Sequence, residues 1–134
     1  MNYTLEFVKF LHTLIDISLC SYIFIASPVY DIYYAIVLLL QTLHWGALKN
    51  ECIVTYIEKK LIDPKYELGS KIKWKPHVDT YYNLFTRLLK DLVILGTLIT
   101  IIIRADNNHI EVISVLAIIL WMYYTYFYKS NKTD

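Results

Sequence analysis

The chain has 134 residues, a net charge of +1, 57% hydrophobic residues and a mean hydropathy of +0.41. That composition is too apolar for an ordinary soluble domain. The near-neutral charge gives no basic footprint for nucleic acid, and two cysteines, Cys20 and Cys52, are too few for a secreted disulfide framework.

The first apolar run, Phe7 to Ala26, is long enough to cross a bilayer as a helix. Met1–Glu6 lacks a basic region, so the run is expected to be a retained span and not a removable signal. Glu6, Lys9, His12, Thr13, Asp16 and Cys20 fall within about a third of its helical circumference, forming a polar stripe. Ser27-Pro28 breaks the helix and turns the chain into a second run, Ile32 to Leu48.

A polar segment follows at once. From Asn50, a candidate N-cap, Ile53, Val54, Ile57 and Leu61 share one side at helical spacing, while Glu51, Thr55, Glu58, Lys59 and Lys60 take the other. This pattern predicts an amphipathic helix over 51–62 lying along the membrane surface, stopped by Asp63-Pro64. Lys71-Ile72-Lys73-Trp74-Lys75 suits an anionic headgroup layer, and Asp79 is the expected cap of the third long helix. The last two runs, Leu84 to Ile103 and Ile110 to Phe127, turn around Asp106-Asn107-Asn108. Trp121, Tyr123, Tyr124, Tyr126, Phe127 and Tyr128 close the last run as an interfacial aromatic belt.

The predicted fold is therefore all-α: an integral membrane four-helix bundle of two transmembrane hairpins, with a short amphipathic interfacial helix between them. Residues 1–134 form one membrane domain, with spans near 5–26, 31–48, 82–104 and 109–128 and an interfacial segment over 49–80. Lysines concentrate on the side holding both termini and the central segment, which places that side in the cytoplasm or its topological equivalent.

Several polar residues fall inside the predicted spans. A central Asp costs about 2.5 to 3.5 kcal/mol on insertion scales, so it should face protein or a wet cavity. If the first two spans pair around Pro28, His12 lies level with His44 and Asp16 with Gln41; Asp91 of the third span reaches the same depth. The expected intramembrane polar site is thus His12, Asp16, Gln41, His44 and Asp91. Snorkelling and helix–helix hydrogen bonding account for such a group, and a proton relay or a metal or haem at His12 and His44 are the functional alternatives. No cofactor is expected. GxSxG, Walker, CxxC and HExxH patterns are all missing.

His12, Trp45-Gly46-Ala47-Leu48, Cys52-Ile53-Val54-Thr55 and Glu58 together resemble a family of small bacterial four-helix membrane proteins of unknown function. There a Trp-rich second span runs into a Cys-Pro-Leu-Thr stretch followed by Glu; Ile53 stands here in place of that proline. His44-Trp45, Asn50-Glu51-Cys52, Glu58-Lys59-Lys60, Asp63-Pro64 and Tyr66 are also similar to hypothetical membrane proteins of large DNA viruses. The resemblance implies a shared topology and nominates Trp45, Asn50, Glu51, Cys52, Thr55 and Glu58 as an interfacial unit.

The leading expectation for function is a structural or interaction component of a viral or organellar membrane, more an interaction protein than an enzyme. Its partners would be lipids and a second copy or a protein at the cytoplasmic face. A small oligomeric channel or proton-conducting pore is the second expectation. An intramembrane enzyme or cofactor protein built on His12, Asp16, His44 and Cys52 is the third.

Overall fold

The computed structural model describes residues 3–70 and 83–128. Among these residues every regular element is helical. Helix α1 spans Tyr3–Ile25, and Ser27, extended as the residue before a proline must be, leads into a single tight turn over Pro28–Tyr30. Helix α2 spans Asp31–Ala47 and α3 spans Ile53–Ile62, with Asp63 at its C-terminal end. Helix α4 spans Leu84–Arg104 and α5 spans Asn108–Met122, continued by one wider turn over Tyr123–Phe127. Asn83 caps α4 by accepting from the Thr86 amide at 2.9 Å, and Asn107 caps α5 by accepting from the His109 amide at 2.8 Å. The expected Asp79 cap and the basic Trp74 segment lie outside the described residues.

The core forms chiefly between α2, α4 and α5, from Tyr34, Ala35, Leu38, Ile94, Leu98, Ile101, Ala117 and Trp121. Small residues set which helices meet. Ala35 and Thr42 of α2, Thr97 of α4, and Ser114 and Ala117 of α5 are all almost fully buried, so the backbones approach closely there. The first hairpin is therefore not the tight antiparallel pair that the sequence suggests. Helix α2 packs mainly on α5, and α1 packs on α3 and α4. Tyr22 stacks on Tyr34 at 4.3 Å, and the Tyr34 hydroxyl donates to the Leu19 carbonyl at 3.0 Å, tying α1 to α2 near their turn.

The outer surface is unusually apolar. Phe7, Phe10, Phe24 and Ile25 of α1, Leu40 of α2, Leu92 and Ile103 of α4 and Ile119 of α5 are all exposed. Two helices, Tyr3–Ile25 and Asn108–Phe127, are long and apolar enough to cross a membrane. Helix α2 is shorter at 17 residues, and α4 carries Arg87, Lys90 and Asp91 in its first half.

Candidate functional site

The chain folds its polar interfacial segment inward. Lys49 and Asn50 adopt left-handed backbone angles, φ 49° and 63°, which turn the chain sharply after α2. The Asn50 side chain then donates to the Tyr124 carbonyl at 3.0 Å and so does not cap the next helix. Cys52, in extended geometry, stands at the N-cap position of α3 without a side-chain capping bond. The resulting helix is rotated relative to the sequence expectation. Glu58 and Lys59, expected on its solvent side, are buried, as is Glu51 just before it, while Ile53 and Ile57 face outward at 50% and 41% exposure. Helix α1 offers a polar partner at the level of α3.

That partner is His12. Its imidazole donates from Nδ1 to Glu58 Oε1 at 3.0 Å, between two side chains almost wholly out of solvent. Burial alone raises a thiol, but His12 and the amides of Val54 and Thr55 at the start of α3 outweigh it and hold Cys52 below the ordinary thiol range. An imidazole and a carboxylate thus meet on the helix that Cys52 opens.

Beside this group lies a clamp. Lys59 donates to Glu51, and Tyr66 donates to Glu51 Oε1 at 2.6 Å. The Lys59 ammonium also sits 5.0 Å from the centre of the Tyr66 ring. Burial disfavours the ammonium, but Glu51 and Tyr66 prevail and hold Lys59 above its usual range. Burial and Glu51 raise Tyr66 against the opposing pull of Lys59. The clamp fastens residues 63–70 back onto α3, and Gly69 at φ +85° makes the closing turn.

The other expected site residues have separate partners. Asp16 pairs with Lys90 of α4 at 3.5 Å, and Asp91 accepts from Trp121 Nε1 at 3.3 Å and from the Tyr126 hydroxyl at 3.0 Å. His44 Nε2 accepts from the Ile53 amide at 3.3 Å, so it faces the start of α3, while Gln41 is half-buried along α2. His12 and His44 thus take different partners, Glu58 and the Ile53 amide, on the same helix, while α1 packs on α3 and α4 and not along α2. Of the interfacial unit, Glu58 meets His12, Cys52 stands at the start of α3, Glu51 joins the clamp, Trp45 packs on Trp121 at 4.9 Å, and Thr55 is half-buried on α3. Lys59 and Tyr66 complete the arrangement, although sequence reasoning assigned them no site.

A second buried ion pair was also not anticipated. Arg104 grips Asp31 with two hydrogen bonds of 2.7 and 2.6 Å, and the Tyr22 hydroxyl donates to the same carboxylate at 2.8 Å. Opposite charges at equivalent ends of the second and third predicted spans, Asp31 and Arg104, were the available signal. Among the described residues, no three or more His, Cys, Asp and Glu side chains are arranged to hold a metal ion.

The class defined by these features is a helical protein with two helices able to span a membrane. Comparisons with protein-family models, curated proteins and solved structures give no match.

Proposed function

We propose that this chain is a multi-pass membrane protein with four crossing helices, both termini on the cytoplasmic side, and a thiol-based group-transfer site beneath the surface helix. In this reading Cys52 is the nucleophile, His12 exchanges its proton, and Glu58 orients His12. The observation that carries it is the buried hydrogen bond from His12 to Glu58 of the helix that Cys52 opens. The exposed apolar residues of all four long helices support the membrane assignment, because water would penalise each of them while acyl chains would not. The lysine distribution and the resemblance to small four-helix membrane proteins point the same way. The polar stripe of α1 is already occupied within the chain, His12 by Glu58 and Asp16 by Lys90, which argues against a pore assembled around it.

The test is the rate at which iodoacetamide alkylates Cys52 in vesicle-reconstituted protein. The reference is a thiol placed at exposed position 70, in a Cys52→Ser, Ser70→Cys variant. Cys52 should react faster near neutral pH, and His12→Ala should slow it at least about tenfold. A rate no greater than the reference, unchanged by His12→Ala, would leave the structural or interaction role as the better account.

A further inference from the structure

We infer that the cavity between the Pro28 turn and the Asp106 turn binds a phosphate–ammonium zwitterion, the headgroup of phosphatidylethanolamine. The phosphate lies on Arg104 and the ammonium on Asp106. This inference is independent of the thiol reading and rests on the membrane placement of α1 and α5.

Arg104 draws the two turns together by gripping Asp31 at the start of α2. The turns leave a cavity of about 300 Å³ beside that ion pair. Pro28 and Val29 line it from the first turn, and Ala105, Asp106 and Ile110 from the second. Ligand sites run from roughly 300 to 1,000 Å³, so this one suits a headgroup and not a whole lipid.

The charges around the cavity are unequally satisfied. Both oxygens of Asp31 are engaged, Oδ1 by Tyr22 and Arg104 and Oδ2 by Arg104. Arg104 is not used up. A guanidinium carries five N–H donors, and Asp31 takes two of them, while the side chain keeps 28% exposure. The remaining donors match a phosphate, which accepts from a guanidinium through several oxygens. Ile110 belongs to the first turn of α5, whose N-terminal end favours the same negative charge. Asp106 adds an exposed carboxylate to the same cavity. Asp31 already cancels Arg104, so Asp106 leaves the lining negative. A purely anionic headgroup, such as phosphatidylglycerol, would add to that excess. A zwitterion does not, because its ammonium answers Asp106. Choline has no N–H to donate to a carboxylate, whereas ethanolamine has three.

Position points to a lipid as the source. Pro28 follows the end of α1 and Ile110 lies near the start of α5, the two helices long and apolar enough to cross a membrane. The cavity therefore sits where both helices would leave the hydrocarbon, at the depth of the phosphate layer.

The experiment adds equimolar dioleoyl phosphatidylethanolamine, phosphatidylcholine and phosphatidylglycerol to full-length protein in dodecyl maltoside micelles. Native mass spectrometry then reads the lipid retained. Phosphatidylethanolamine should exceed phosphatidylcholine about fivefold, the factor of a well-formed exposed ion pair, and phosphatidylglycerol should be retained least. Asp106→Asn changes an exposed residue outside the ion pair and should bring phosphatidylethanolamine down to the phosphatidylcholine level. Arg104→Lys, unable to serve Asp31 and a phosphate together, should lower both; if that variant fails to fold, Asp106→Asn decides. Free phosphoethanolamine separates the sources: displacement of the lipid only by a large excess assigns the site to the lipid, and displacement at equal concentration assigns it to the free zwitterion. Equal retention of the three lipids, or a preference for phosphatidylethanolamine that survives Asp106→Asn, would overturn the inference. A chain that stays in solution without detergent and retains no phospholipid would overturn the membrane placement as well.

Discussion

Two buried carboxylates brace this protein at different levels, and their partners differ in kind. Near the turns that follow α1 and α4, Asp31 meets the Arg104 guanidinium and the Tyr22 hydroxyl, and both of its oxygens are engaged. Beneath α3, Glu58 meets the His12 imidazole, which also helps to lower the Cys52 thiol. Both contacts bring together residues far apart in sequence, and both answer the same demand, that a carboxylate removed from water be paired. A guanidinium is always charged and offers no chemistry, so the first group is a latch. An imidazole can gain or lose its proton, so the second group pairs its carboxylate with a titratable partner. Burial alone therefore does not separate a structural ion pair from a reactive one; the identity of the cation's own next neighbour does.

The largest expected effect breaks the latch. Arg104→Ala leaves Asp31 buried beside a single hydroxyl donor and should cost about 3 kcal/mol, less than a fully buried pair because Arg104 is partly exposed. Unfolding in mixed micelles reads this directly. Alkylation of Cys52 in the fraction that remains folded should be unaffected, since the latch and the thiol share no residue. Loss of thiol reactivity together with stability would show that the two regions are coupled.

A smaller effect is expected at the clamp. Glu51→Gln removes the charge that holds Lys59 and Tyr66 and should cost about 2 kcal/mol, read as faster proteolysis after Lys65. The pH dependence has a definite sign. Lys59 is held above its usual range, so its contribution is complete below the ordinary lysine value and is lost as pH rises through the raised one. Clamp stability that fell away in mildly acid solution would contradict this assignment.

The smallest effect in energy is the most informative about function. Cys52 is held below the ordinary thiol range, so the pH profile of its alkylation should turn below that of the position-70 reference thiol. The thiolate's contribution to stability is fully present above the ordinary thiol value and is lost as pH falls through the lowered one. Glu58→Gln should move the inflection back towards the ordinary value, a shift of order 1 kcal/mol for each tenfold change in thiolate population. An unmoved profile would reduce Glu58 to a packing residue.

Parts of the site were legible from the chain. Cys52, Glu51 and Glu58 stood out as a unit through resemblance, and His12 stood out as an ionisable group in an apolar run. Their association was not legible. His12 was matched to His44 by assuming that the first two spans pair, whereas small side chains at Ala35, Ser114 and Ala117 draw α2 to α5 instead. The surface helix was read with its charges in water. Helical spacing separates two faces but does not say which one turns inward, and here a buried His12 makes the polar face the inner one.

The sequence by itself determined the helical class, the turns at Pro28 and Asn107 and the end of α3 at Asp63, because apolar run length, proline geometry and capping are local properties of a few neighbouring residues. Tertiary structure alone decided which helices touch, which carboxylate receives which cation, and that Glu58 of α3 meets an imidazole 46 positions earlier. Helices that are apolar on most of their surface carry little mark of the face they will bury, so close approach of small residues and the pairing of a few buried charges make that choice.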